Sequence, residues 1–130
     1  VLIISLRTDK PEAELAIFQD GQEVTSLSWQ AHRQLAETIH RQMQFALKKT
    51  GKDWGDVQGI VCYQGPGSFT GLRIGLTVAN ALAYSNQVPI VASGGEDWQQ
   101  EGIKRLLKGD SDKVAMPEYG AEAHITLPRK

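Results

Sequence analysis

The sequence predicts an α/β domain built on one mixed β-sheet, and three observations carry that expectation. Apolar residues run together or alternate over the first thirty positions, as strands require. The spacing then lengthens to a helical period. Finally, two more apolar runs of strand length are each followed by a helical segment. At 130 residues the chain fits one domain with a modest core.

Val1 to Leu6 is apolar except for Ser5 and is expected to be a buried strand. Arg7 to Glu12 is polar, contains Pro11 and is expected to turn. Ala13 to Phe18 gives a second strand, and Gln19-Asp20-Gly21-Gln22 supplies an Asp-Gly hairpin turn. Glu23 to Trp29 alternates and completes a meander. From about Ala31, Leu35, Ile39, Met43 and Ala46 or Leu47 recur at helical spacing as far as Lys48-Lys49, with Gly51 as the cap. Val57 to Tyr63 is continuously apolar, the pattern of a strand covered on both faces. A glycine-rich turn leads into a helix from Thr70 to about Tyr84. Val88 to Ala92 is a fifth strand, and Glu96 to Leu107 a third helix. The order β-β-β-α-β-α-β-α is that of a ribonuclease H-like lobe spanning residues 1–107. Residues 108–130 are expected to be a tail, with Gly109-Asp110-Ser111-Asp112 as a linker.

Fourteen basic and fifteen acidic residues leave a formal charge of -1. A protein that grips nucleic acid unaided carries a concentrated basic surplus, so any RNA role is expected to be indirect. The composition, 41% hydrophobic and 22% charged, is that of an ordinary globular protein. Cys62 is the only cysteine and sits in an apolar run, so it offers no disulfide and no zinc site. No stretch approaches the ~20 apolar residues of a membrane span. No basic and apolar leader precedes the first strand, although the chain opens on Val1 and not on methionine. A cytoplasmic setting is the expectation.

The candidate acid, base and metal groups do not converge. His32 and His40 lie eight apart on one predicted helix, too far for a metal pair, and His124 is in the tail. Ser68 and Thr70 have no nearby base and suit the capping of the second helix. Asp9, Glu12, Asp53 and Asp56 sit in polar turns. Neither catalysis nor a cofactor or metal is expected.

The informative segment is Gly65-Pro66-Gly67-Ser68-Phe69-Thr70-Gly71 and its helix. Such a turn can cradle a phosphate on free N–H groups. However, Leu72 stands where a P-loop has lysine, and the spacing is not G-x-G-x-x-G. In the helix, Gly71, Gly75, Ala79 and Ala83 recur every four residues and form a stripe of very small side chains. Interior glycine costs about 1 kcal/mol relative to alanine, so a closely approaching backbone is expected there. Ile74, Val78 and Leu82 form a neighbouring apolar stripe, and Arg73 is the one charge among them. Two readings follow. Either the chain's own sheet and first helix cover both stripes, or one stripe is left for a partner protein.

The run Gly65-Pro66-Gly67-Ser68-Phe69-Thr70-Gly71-Leu72-Arg73-Ile74-Gly75-Leu76-Thr77-Val78-Ala79 closely resembles the signature of the TsaB (YeaZ) family, of the actin-like ATPase superfamily. Asp20-Gly21, His32 and Pro89-Ile90 agree with it, and Pro117, Tyr119-Gly120 and Ile125-Thr126 are similar to C-termini of some members. The resemblance covers about the first hundred residues. It implies a non-catalytic role in making threonylcarbamoyladenosine in tRNA. In that role the chain pairs through helix faces with a TsaD-like catalytic subunit, and a TsaE-like ATPase docks on the pair. A homodimer is expected when the catalytic subunit is absent. The expected interface comprises Gly71, Arg73, Ile74, Gly75, Val78, Ala79, Leu82 and Ala83, with His32 and Leu35 of the first helix. Two departures stand out. Ile4-Ser5-Leu6 occupies the place of an Ile-Asp-Thr segment, so the carboxylate used near nucleotide and metal is missing, and the first turn is about two residues longer. The chain also lacks most of the second lobe of typical members. The alternatives are a degenerate nucleotide-binding protein and a homodimeric regulator outside tRNA modification.

Overall fold

The computed structural model describes residues 1–30, 35–65 and 70–116, with the side chain of Thr70 excepted. The strands are β1 (Leu2–Arg7), β2 (Glu12–Gln19), β3 (Gln22–Gln30), β4 (Val57–Tyr63) and β5 (Ile90–Ser93). The helices are α1 (Leu35–Lys49), α2 (Thr70–Asn86) and α3 (Trp98–Leu107), in the order β-β-β-α-β-α-β-α. One sheet carries all five strands in the order β3-β2-β1-β4-β5. β1 pairs antiparallel with β2 and parallel with β4, β2–β3 is antiparallel and β4–β5 parallel, so the sheet is mixed. This is the ribonuclease H-like architecture that the element order implied.

The first hairpin turns on Asp20 and Gly21, both at positive φ (54° and 85°), the geometry for which Asp-Gly is suited. Alternation along β1 then assigns the helices to faces. Thr8, just past the strand end, meets α2, whereas Ser5 bonds to Gln99 of α3. Hence Ile4 and Leu6 share the α1–α2 face, and Ile3, Ser5 and Arg7 the α3 face. α1 lies over β2 and β3, α2 over β1, β4 and β5, and α3 over β4 and β5. The core is a continuous cluster that includes Ile3, Ile4, Leu6, Ile17, Ile39, Met43, Leu47, Ile60 and Leu72. Each such side chain contributes about 1.5–3 kcal/mol by leaving water.

Three segments depart from the sequence expectation. A 3₁₀ turn, Trp54–Asp56, precedes β4, and there Asp53 and Asp56 form a reciprocal capping box instead of pointing idly into solvent. β5 starts at Ile90 and not at Val88, because Val88 N–H donates to Ala83 O (3.0 Å) and Gln87 has φ 57°, an end-of-helix arrangement. The supposed linker is a docked strap. Asp112 N–H donates to Ile90 O (2.8 Å), and the Asp112 carboxylate accepts from Ala92 N–H (2.7 Å) and from Arg105. Further on, Ala115 and the Asn80 amide exchange two hydrogen bonds of 2.7 and 2.9 Å. The strap thus covers an edge strand whose polar groups would otherwise be open to pairing. Among the described residues no helix is long and apolar enough to cross a membrane.

Burial opposes ionisation of Asp112, but the Arg105 guanidinium and the Ala92 N–H outweigh it and hold the carboxyl below its ordinary range. A lowered folded value contributes stability above the ordinary carboxylate pKa, and this is lost as pH falls through the folded value. Asp112→Ala is expected to cost about 1–3 kcal/mol in urea unfolding at neutral pH. It should also accelerate amide exchange at Ala92. The gap between wild type and variant should close on acidification, and a gap independent of pH would contradict the assignment.

Candidate partner-binding face

α1 and α2 form one outer layer of the domain, and α2 is held in place by contacts no sequence pattern displays. Thr8 Oγ donates to Gly71 O at 2.8 Å and is buried with it. A Cβ built on Gly75 would lie 2.0 Å from Thr8 Oγ and 2.8 Å from its Cγ, so the helix rests directly on the end of β1. Gly71, Gly75, Ala79 and Ala83 are all buried. The small stripe is therefore covered within the chain itself, at Gly71 and Gly75 by the end of β1, which corrects its assignment to a partner. The interior Gly75 is closely approached as expected, but by the Thr8 side chain of the same chain and not by a backbone. Leu35 is likewise a core residue, 4% exposed. His32, Pro66, Gly67, Ser68 and Phe69 lie outside the described residues, as does the Thr70 side chain, while Gly65 ends the described part of the loop.

What α2 presents outward is the other stripe. Ile74, Val78 and Leu82 are half-buried against the edge of the core, and Arg73, Thr77, Ala81 and Tyr84 are exposed. Beside them α1 turns out His40, Arg41, Gln44, Phe45 and Lys48. The His40 and Trp54 rings stack at 5.3 Å and 18°. Together with Phe45, which is 58% exposed, Trp54 borders a groove of about 420 Å³ rimmed by Arg41, Lys48 and Lys52. This groove was missed from the sequence. Phe45 lies off the buried period of α1, and that displacement was the one available signal. Trp54 gave none, because its position depends on the capping box.

The opposite face holds the end of β1, where the resemblance implies a carboxylate and this chain has Ser5. Ser5 is 1% exposed, and its Oγ accepts from Gln99 Nε2 at 3.0 Å. Arg7 makes a forked pair with Asp9 (2.7 and 3.1 Å) and lies 4.0 Å above the Tyr63 ring, against which Trp98 packs edge-on at 5.7 Å. Asp9 is the main cause that keeps the Arg7 guanidinium firmly charged. These residues do not fit a nucleotide-bound metal: Ser5 brings no charge, its oxygen is engaged by Gln99, and Asp9 is neutralised by Arg7. Among the described residues no three His, Cys, Asp or Glu side chains gather where they could hold a metal ion. Burial pushes the Cys62 thiol up to about 12, which leaves it protonated and unreactive in the folded chain.

The chain is similar to known proteins in sequence and in fold. Residues 29–92 match the family model of TsaD, tRNA N6-adenosine threonylcarbamoyltransferase. The chain is 29% identical over 118 residues to the tRNA threonylcarbamoyladenosine biosynthesis protein TsaB of Escherichia coli, covering 81% of this chain and 48% of that protein. Its fold superposes on YeaZ from Pseudomonas aeruginosa with TM-score 0.65 and 27% identity, covering 72% of this chain and 43% of the other. RuvC of T. thermophilus, 12% identical with TM-score 0.54, shares the fold alone, over 95% of this chain and 87% of RuvC. The chain spans about half the length of the TsaB relative it matches.

The seat of α2 can be tested by a double-mutant cycle. Gly75→Ala should destabilise the chain by about 2–3 kcal/mol through overpacking. Thr8→Ala in the same chain should recover at least about 1 kcal/mol of that loss. Additive effects in denaturant unfolding would mean that the two residues do not touch.

Proposed function

Because the chain is a member of the TsaB/YeaZ family, we propose that it is a non-catalytic partner subunit in the biosynthesis of threonylcarbamoyladenosine in tRNA. It docks a TsaD-like catalytic subunit through the α1–α2 face. The observation that carries this reading is the half-exposed stripe Ile74, Val78 and Leu82 on a helix whose inner side is already fully seated. An apolar stripe that its own core covers only in part, on a helix layer that also carries an aromatic groove, suits a protein contact. The family model supports the choice of partner, since the matched residues 29–92 contain both helices and the strand between them. Two related lobes can pair helix layer against helix layer about an approximate twofold axis. The missing carboxylate at Ser5 supports a subunit that leaves the chemistry to its partner. tRNA is then reached through the catalytic subunit, and a TsaE-like ATPase would dock on the assembled pair.

Co-expression with the TsaD-like protein of the same organism, followed by light scattering on a sizing column, tests the reading. A one-to-one or two-to-two complex is expected. Val78→Asp should weaken that complex by at least about 10–100-fold, the range of a lost central contact. Its thermal unfolding should stay within a few degrees of the wild type, since Val78 is outside the fully buried core. Separate elution of the two wild-type proteins, or an unaltered complex with Val78→Asp, would contradict the proposal.

A further inference from the structure

The sheet has two edges, and the chain treats them differently. Beyond β5 the strap supplies partners, with Asp112 N–H donating to Ile90 O and the Asp112 carboxylate accepting from Ala92 N–H. β3 is the strand at the other end of the order β3-β2-β1-β4-β5. Among the described residues, nothing bonds to the backbone of β3 on its outer side. Alternate residues of a strand bond to opposite sides, so about half the backbone groups of β3 are left without a strand partner.

This edge is also unguarded. An open edge is normally protected by lysine, proline, an inward charge or brevity. β3 runs for nine residues and has neither lysine nor proline. Its one charge, Glu23, stands at the hairpin end, where the pairing with β2 shifts register between Ile17 and Phe18. The rest, Thr25-Ser26-Leu27-Ser28-Trp29-Gln30, is uncharged and pairs regularly with β2. Trp29 donates to Thr38 of α1, so Thr25, Leu27 and Trp29 are half-buried on the α1 side. Ser26 and Ser28 are exposed on the other side, in a groove of about 410 Å³. α3 packs on β4 and β5, which leaves that side of β3 open.

An uncharged edge selects an uncharged strand, and β3 itself answers that description. Antiparallel pairing of two copies about a twofold axis at Leu27 sets Leu27 opposite Leu27, Thr25 opposite Trp29 and Ser26 opposite Ser28. Apolar, aromatic–β-branched and hydroxyl pairs of this kind are favourable across strands. Glu23 of one copy falls beyond Gln30 of the other, so no like charges meet. The Glu14 residues of the two copies lie three strand spacings apart, roughly 14 Å, beyond the ~10 Å over which charges act at 0.1 M salt. A basic segment suits the edge less well, because Glu12 and Glu14 stand one strand further in, on β2. The contact is short beside the roughly 20–30 residues a side of a standard interface, so a weak, concentration-dependent dimer is expected.

We propose that two copies of the chain join edge to edge through Thr25–Gln30 of β3, antiparallel and centred on Leu27, merging two five-stranded sheets into one. The contact leaves the helix layer free, and it stands or falls independently of the partner-subunit reading.

Sedimentation of the full chain alone, from about 10 µM to about 1 mM, should show a reversible monomer–dimer equilibrium with its dissociation constant inside that range. Two charge variants read the register. Ser26→Lys with Ser28→Lys sets lysine opposite lysine twice and should weaken the dimer at least about tenfold. Ser26→Glu with Ser28→Lys sets glutamate opposite lysine twice and should dimerise at least as well as the wild type. Both positions are exposed, so thermal unfolding of each variant should stay within a few degrees of the wild type. A monomer throughout the range, or loss of the dimer in both variants or in neither, would overturn the proposal. So would a dimer abolished by Val78→Asp, which would put the contact on the helix layer. A monomer whose β3 amides all resist hydrogen exchange would overturn it too, because the chain would then cover the edge itself.

Discussion

The placement of α2 depends on a contact that leaves no room for a side chain. β1 ends beneath the helix, and Thr8 at that end presses its hydroxyl and methyl into the space where a Cβ of residue 75 would stand. The same hydroxyl donates to Gly71 O one turn earlier, so the helix is fixed both along and across its axis. An interior glycine costs about 1 kcal/mol of helix stability, and here the cost is offset by the burial of Leu72, Leu76, Ala79 and Ala83 on the same helix. Everything outward of the helix follows from this seat. A rigid inner side fixes the rotation of α2, and that rotation decides which residues are left half covered.

The end of β1 also shows what the lobe does without an acidic residue in its first strand. An aspartate at position 5 would sit 1% exposed between sheet and α3 and would need a cation to be tolerated. Serine removes that need, and Gln99 satisfies its oxygen. The arginine two residues later finds its own carboxylate in Asp9 and lays its guanidinium on Tyr63. The resulting cluster is internally neutral and closed. It holds the ends of β1 and β4 together as a structural joint.

Much of this architecture was legible in the sequence, because period is a local property. The meander, the Asp-Gly turn and the amphipathic stripe of α1 each follow from a few adjacent residues, and all are present. A close approach at Gly75 was legible too, but neither its direction nor that a side chain makes it. A stripe of small residues looks alike whether it meets a partner or the chain's own β1, and Thr8 lies over sixty positions away in sequence. The docked strap was hidden for the same reason. Gly109-Asp110-Ser111-Asp112 has the composition of a linker, and only the distant Arg105 and the open amide of Ala92 turn Asp112 into an anchor. The groove at Phe45 and Trp54 required a 3₁₀ turn set by a capping box, which composition alone does not announce.

These features divide the labour of the helix layer between its two sides. The inner side of α2 is spent on fit, and at Gly75 any side chain would press on Thr8 at the end of β1. The outer side bears no such constraint, and its residues vary in kind: an apolar stripe, an exposed aromatic groove and a cationic rim. A related lobe that shares the inner solution can differ freely in the outer one, since changes at Arg41, Lys48 or Phe45 leave the core untouched.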